Sequence, residues 1–178
     1  MDLEIRPIGL TMATDLAAVY QENRDFLQPY EPVRADAFFT AGGQRDNIRT
    51  MVTAMRAGDR WPAMIYLGDR PCGFITLNTI LRGALQSARV GYWVAEKDGG
   101  RGVATRALGI VLDVAFCELG LHRIEASVRV DNPRSKRVLE KNGFSTIGIA
   151  RRHVFLDGAW RDEYLMERHA PPIRNYGQ

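Results

Sequence analysis

The sequence predicts an α/β fold, a mixed but mostly antiparallel sheet of seven strands flanked by helices. Three observations carry this reading. Short apolar or alternating runs, the mark of strands, recur along the whole chain. Longer stretches with apolar residues three and four apart, the mark of amphipathic helices, are interleaved with them. Around residues 89–130 the order strand, helix, strand forms one crossover whose two strands must run parallel.

Leu3–Pro7 reads as the first strand. Thr14–Asn23 reads as a helix: Asp15 lies in its first turn, where a negative charge meets the positive end of the helix dipole, and Leu16, Val19 and Tyr20 share a face. Phe26–Pro32 carries Pro29 and Pro32 and reads as an irregular loop. Ala41–Ala57 is a second helix, with Ile48, Met51, Val52 and Met55 at helical spacing and Gly58 as its stop. Pro62–Leu67 and Cys72–Ile80 form a hairpin around Gly68-Asp69-Arg70-Pro71. Ala88–Val94 is the fourth strand, and Gly91 within it suggests a bulge. A helix over 103–118 follows, ended by Gly120; Cys117 falls on its apolar stripe and is expected in the core, with Cys72 the more exposed of the two cysteines. Arg123–Val130 alternates as a strand. Pro133–Asn142 is a short helix, with Pro at its start and Gly143 just past its end. Ser145–Phe155 and Glu163–Arg168 close the sheet across Asp157-Gly158. The length of 178 residues fits one domain over 1–178.

Composition excludes several function classes. Lys plus Arg number 24 against 21 Asp plus Glu, and a net charge of +3 is too small and too dispersed to argue for nucleic acid. No apolar run approaches the ~18 residues that span a membrane. Met1-Asp2-Leu3-Glu4 has an early acid and no apolar stretch of the signal-peptide kind, so the expected location is cytoplasmic. The two cysteines, Cys72 and Cys117, fit neither a disulfide framework nor a four-ligand zinc site, and no metal is expected. Neither has a neighbouring His or helix N-terminus that would make it a thiolate.

The chemical signal is the run Gly99-Gly100-Arg101-Gly102-Val103-Ala104-Thr105, set between a strand and a helix. A glycine-rich turn there exposes backbone N–H groups at the positive end of a helix dipole, a seat for phosphate or diphosphate. A Walker A loop requires Lys followed by Ser or Thr after its glycines, and none is present. A dinucleotide fingerprint belongs on the first strand–helix unit with an acid at the end of the next strand; here the turn falls mid-chain and Glu118 lies inside the helix. The diphosphate of coenzyme A and a turn that merely closes strand onto helix remain.

Four segments decide between them by resemblance. They are 22–34 (Glu22-Asn23-Arg24-Asp25-Phe26-Leu27-Gln28-Pro29-Tyr30-Glu31-Pro32-Val33-Arg34); Val90-Gly91-Tyr92-Trp93 through Ala104-Thr105-Arg106-Ala107-Leu108; Leu121-His122-Arg123-Ile124 with Val130-Asp131-Asn132-Pro133-Arg134-Ser135; and Leu139-Glu140-Lys141-Asn142-Gly143-Phe144. With these the chain resembles the GNAT superfamily of acetyl-CoA-dependent N-acetyltransferases. It looks most like the RimJ/RimL branch, which acetylates the N-terminal amines of ribosomal proteins. The first segment, with Asp157-Gly158-Ala159-Trp160-Arg161-Asp162, is similar to the RimJ side of that branch.

The resemblance implies a GNAT fold with a β-α-β acetyl-CoA-binding core. Gly102 and Ala104 match the superfamily's Arg/Gln-x-x-Gly-x-Gly/Ala turn, while Gly99 stands where Arg or Gln is usual, which implies a looser loop. Gly99, Gly100, Arg101, Gly102, Val103, Ala104 and Thr105 would take the diphosphate, and Tyr92, Trp93 and Val94 would pair with the pantetheine arm as a pseudo-strand. Asn132 would hydrogen-bond that arm and Ser135 would give a proton to the departing thiolate; the alternative for both is ordinary helix capping. Arg137, among the basic residues Arg134, Lys136 and Lys141 of the same helix, would meet the 3′-phosphate. Some RimL-like relatives carry a Glu just before the Gly-Tyr-Trp strand, where this chain has Arg89, so Glu31 is the expected substitute that anchors or deprotonates the amine. His153 ranks below it, and His122 reads as structural. Phe26, Tyr30, Glu31, Asn78 and Trp160 would line the acceptor groove. The expected partners are acetyl-CoA and a protein N-terminus, that of a ribosomal protein among them, with a homodimer left open. Acetylation of a small amine such as a polyamine or aminoglycoside, and a non-catalytic acyl-CoA-binding module, are the alternatives.

Overall fold

The computed structural model describes residues 2–172. Its strands are β1 (Leu3–Pro7), β2 (Trp61–Leu67), β3 (Arg70–Leu81), β4 (Ser87–Val94), β5 (Arg123–Arg129), β6 (Ser145–Leu156) and β7 (Ala159–His169). Its helices are α1 (Ala13–Glu22), α2 (Arg24–Leu27), α3 (Ala41–Arg56), α4 (Val103–Asp113) and α5 (Pro133–Lys141). The seven strands form one sheet in the order β1-β2-β3-β4-β5-β7-β6. Every pair is antiparallel except β4 with β5, the pair joined through α4. The mixed α/β architecture expected from element order is the one observed.

Two apolar cores account for the layering. On one face of the sheet, Val103, Ala107, Leu108, Val111 and Leu112 of α4 pack against Ile65, Ile75, Leu77, Ile124 and Val128. These α4 positions recur every three to five residues, which places them on one stripe. On the other face, Leu16, Val19 and Tyr20 of α1 and Ile48 and Met51 of α3 pack against Met64, Tyr66 and Phe74. β2 is therefore covered on both sides, and its residues Pro62 to Leu67 are all buried. Among the described residues no helix is long and apolar enough to cross a membrane.

Some sequence expectations need correction. Phe26–Pro32 is not irregular: α2 runs directly into a 3-10 turn, Gln28–Tyr30, and Pro29 fits because the first turn of a helix leaves its N–H positions without partners anyway. The bulge expected at Gly91 lies instead in β3, where the register with β4 shifts between Asn78 and Leu81 and Thr79 takes φ 51°. Gly91 stays in register opposite Thr76. The cysteines exchange roles: Cys72 is buried and Cys117 exposed. After Asp113 the helix widens into a π turn over Val114–Glu118, closed by the Leu119 N–H donating to the Val114 carbonyl at 2.9 Å. That extra residue rotates Cys117 off the apolar stripe. The last strand is also longer than expected, because Asp157-Gly158 makes a tight turn with both residues at positive φ.

Candidate active site

The site begins where the sheet opens. The parallel ladder of β4 with β5 extends only from Ser87 opposite Arg123 to Arg89 opposite Glu125. Beyond that point Gly91–Val94 remain paired with β3 while β5 diverges. The main-chain groups of Tyr92, Trp93 and Val94 thus border a gap, which a thin extended molecule can fill by strand-like pairing. Tyr92 and Val94 face the α4 side, and Trp93 faces the α1 side, where its Nε1 donates to the Tyr20 hydroxyl at 3.2 Å. Asn78 stands beside the opening: a Cβ on Gly91 would meet its Nδ2 at 3.7 Å.

At the end of β4 the chain makes a 3-10 turn, Glu96–Asp98, and then the glycine run into α4. Gly100 (φ 72°) and Gly102 (φ 77°) both adopt the left-handed backbone, which a side chain resists and glycine does not. Gly102 caps α4 without any side-chain hydrogen bond, so the first amides of the helix, from Val103, Ala104 and Thr105, are left to a ligand. They open into a groove of about 430 Å³, whose floor is Gly99, Gly100, Gly102, Val103, Ala104 and Thr105 and whose far wall is Arg134, Arg137 and Lys141 of α5. Uncapped amides on one side and three cations on the other fit a molecule with several phosphates. Arg101 turns away from the floor, its Nη1 3.7 Å from Asp98.

The turn is held from outside the motif, by residues the sequence reading missed. Asp98 is 1% exposed and accepts two bonds from Arg70, at 2.8 and 2.9 Å, in a bidentate pair that ties the β2–β3 hairpin to the glycine run. The Glu96 N–H donates to Asn23 Oδ1 at 2.9 Å, and Lys97 pairs with Glu22 at 3.0 Å, so the junction of α1 and α2 holds the other side. The expectation of a looser loop at Gly99 meets this clamp. An acid directly before a glycine turn, matched by an Arg in a preceding hairpin, was the available signal. Cys72 lies behind the same turn, and burial pushes its thiol up to about 11, which rules it out as a thiolate nucleophile near neutral pH.

α5 supplies the opposite lip of the gap. Asn132 is its N-cap, its Oδ1 accepting the Ser135 N–H at 3.1 Å, and Pro133 occupies the first turn. The capping contact is therefore real, and it leaves the Asn132 Nδ2 as a donor. The Tyr92 hydroxyl lies 3.1 Å from Ser135 Oγ, which brings β4 and α5 together across the opening; burial pushes its phenol up to about 12.

A second, smaller pocket lies along the 24–39 segment. Glu31 follows the 3-10 turn and shares a pocket of about 70 Å³ with Tyr20, Arg24, Leu27, Arg34 and Phe39. Burial raises its carboxyl above the ordinary range and Arg34 pulls it partly back. Arg24 pairs with Asp36 at 2.7 Å and lies over the Phe39 ring, and Arg34 lies over Phe38. Phe26 and Tyr30 are ring neighbours, 6.5 Å apart. Trp160 is 60% exposed and stacks edge-on to Phe155 at the tip of the β6–β7 hairpin, away from the Glu31 pocket lining. His153 is bound to Glu163 at 2.7 Å on the same hairpin, and His122 is exposed beside His169.

Residues 2–145 match the family model described as an acetyltransferase (GNAT) domain. The chain is 40% identical over 164 residues to the probable N-acetyltransferase YjcK of Bacillus subtilis, covering 91% of each chain. It is 28% identical to the ribosomal protein uS5-alanine N-acetyltransferase of Escherichia coli, over 95% of this chain and 88% of that one. The solved structure of Mycobacterium smegmatis RimJ in complex with a CoA disulfide superposes with a TM-score of 0.91 at 33% identity, covering 94% of this chain and 82% of the other.

Proposed function

Because the chain belongs to the GNAT acetyltransferase family, it is an acetyl-CoA-dependent acetyltransferase, and we propose that its acceptor is the N-terminal α-amine of a protein, in the first place a ribosomal protein. The observation that carries the acceptor reading is the Glu31 pocket. It offers one half-buried carboxyl bracketed by Arg24 and Arg34. One ammonium suits such a pocket. A polyamine, with several cations along its length, finds one carboxyl there with the Arg34 guanidinium beside it, while Asp36 is already paired with Arg24. The uS5-alanine N-acetyltransferase among the relatives supports the same reading.

When bound, acetyl-CoA supplies the acetyl group as an activated thioester. The amides of Val103, Ala104 and Thr105 hold its diphosphate, with Arg134, Arg137 and Lys141 facing the remaining phosphate. Main-chain groups of Tyr92–Val94 and the Asn132 amide align the pantetheine arm. An α-amine, with an ordinary pKa of about 8, is already partly neutral near pH 7, so Glu31 has only to anchor the ammonium and take one proton. The amine nitrogen bonds to the carbonyl carbon and the C–S bond breaks; the proton the nitrogen sheds passes through the Ser135 hydroxyl to the leaving thiolate, so the serine ends with the proton it began with, and Glu31 returns its own to solvent. Positioning of the two reactants across the β4–β5 gap supplies most of the rate. An enzyme with ribosomal proteins as acceptors works in the cytoplasm, where those proteins are made.

Incubation with acetyl-CoA and a panel of N-terminal peptides, polyamines and aminoglycosides, following free thiol, tests this. Turnover on peptides is expected. Turnover confined to polyamines or aminoglycosides overturns the acceptor reading, and tight CoA binding without turnover on any amine points to a binding module.

A further inference from the structure

Arg129 is the last residue of β5, on the far side of the opening from Tyr92–Val94. Its side chain is only 12% exposed, and both edges of its guanidinium are in use. Nε donates to Asp131 Oδ1 at 2.8 Å and Nη2 to Oδ2 at 2.5 Å, a two-bond fork. Nη1 donates to the carbonyl of Pro29, 100 residues earlier in the chain, and the guanidinium lies over the Tyr30 ring at 5.3 Å. Asp131 directly precedes Asn132, the cap of α5. One side chain thus joins the end of β5, the start of α5 and the 3-10 turn that leads into Glu31. A lysine could not do this, because a point charge cannot form the fork and reach the carbonyl together.

We propose that Arg129 is a positioning residue that fixes the acceptor loop against the cofactor-side cap, so that an amine held at Glu31 is aimed at a thioester held beside Asn132 and Ser135. This rests on the acceptor reading above. Glu31 is the residue immediately after the Gln28–Tyr30 turn, so displacement of Pro29 and Tyr30 moves it directly. At the start of the segment, Leu27 is buried in the α1–α3 core, but Tyr30 is 43% exposed and leans on Arg129. Removing the guanidinium releases the end of the loop that carries the carboxyl, while the glycine turn and its clamp are untouched.

The test uses Arg129→Met, which keeps the apolar stem, and Arg129→Lys, which keeps the charge and loses the fork. Acetyl-CoA affinity is measured by calorimetry, acceptor kinetics with whichever amine the wild-type protein turns over, and amide hydrogen exchange over residues 28–34. Arg129→Met is expected to raise the acceptor KM roughly tenfold, about the worth of the charged bond to the Pro29 carbonyl that holds the loop, with acetyl-CoA Kd within about twofold. Exchange over 28–34 should quicken several-fold or more, with the lysine variant close to the methionine one on both readouts. Unchanged exchange, an unchanged acceptor KM, or an equal weakening of acetyl-CoA binding overturns the proposal. Should Arg129→Met fail to fold, Arg129→Lys carries the same comparison. Exchange needs no acceptor. A loop that loosens in a protein that acetylates no peptide therefore supports the anchor and refutes the choice of acceptor, whereas an unmoved loop in a peptide acetyltransferase refutes the anchor.

Discussion

The Tyr92 hydroxyl lies 3.1 Å from the Oγ of Ser135 and 3.2 Å from the Ser135 carbonyl oxygen. One residue belongs to the strand that borders the gap and the other to the first turn of α5, so the contact bridges the opening beside the serine proposed to serve the departing thiolate. The phenol, raised to about 12, keeps its proton throughout the working range and orients the serine rather than titrating. Tyr92→Phe is expected to lower kcat about tenfold without moving the inflections of the pH–rate profile below about pH 10. Ser135→Ala should cost more, and the double variant no more than Ser135→Ala alone, because Tyr92 acts through the serine. Additive losses in steady-state kinetics would separate the two.

Asp98 and Arg70 make the second prediction. The carboxylate is buried and the guanidinium is 42% exposed, so the two ends of the pair are not equivalent. Arg70→Ala leaves a buried charge that faces Arg101 at 3.7 Å and should cost about 2–3 kcal/mol. Asp98→Asn leaves a cation that water can reach and should cost less. Both should weaken acetyl-CoA binding, since the pair sits one residue before the glycine run. Thermal melts and calorimetric titration of the two variants check the order; Asp98→Asn as the worse of the two would contradict it.

What the sequence made legible, and what it did not, divides along the same line. Strands β1 to β6, the second half of β7 and helices α1, α3, α4 and α5 follow from local periodicity and from stops such as Gly58 and Gly120, both at positive φ. The glycine run was visible because backbone chemistry restricts which residues can stand there. The Arg70–Asp98 clamp and the Arg129–Pro29 bond were not, because they join residues 28 and 100 positions apart and no local pattern encodes such a pairing. The exposure of Cys117 was hidden for a different reason: the π turn over Val114–Glu118 shifts the face of the helix by one residue and leaves no mark on the periodicity before it.

Two glycines of the turn should respond differently to substitution. Gly102 has φ 77°, and a Cβ there would meet nothing within 4 Å, so the cost of Gly102→Ala is one of backbone alone, about 1 kcal/mol or more. The same strain rotates the first amides of α4, and acetyl-CoA Kd should rise several-fold. Gly99 has φ −63°, an ordinary backbone, and its Cβ would meet only the Glu96 carbonyl at 3.0 Å. Because Asp98 and Arg70 already hold the turn, Gly99→Gln should leave Kd within about twofold of wild type. A large gain in affinity from Gly99→Gln would mean that the clamp is not sufficient.

Glu31 supplies a prediction in which stability and activity move in opposite directions. Burial raises its carboxyl above the ordinary 4.5. A carboxyl whose pKa is raised on folding stabilises the fold while protonated, below the unfolded value, and that contribution is lost as pH rises through the folded value. At neutral pH the charged Glu31 is therefore a net cost to the fold, kept in the pocket beside Tyr20 and partly offset by Arg34. Glu31→Gln should raise Tm by a few degrees near pH 7 and leave it unchanged near pH 4, the reverse of what removal of a salt-bridged acid does. Acceptor kcat/KM at pH 7 should fall at least about tenfold, since the amide neither pairs with an ammonium nor takes its proton. A variant that loses stability together with activity would show that Glu31 is held by an ion pair of its own, and that the carboxyl is not reserved for the incoming amine.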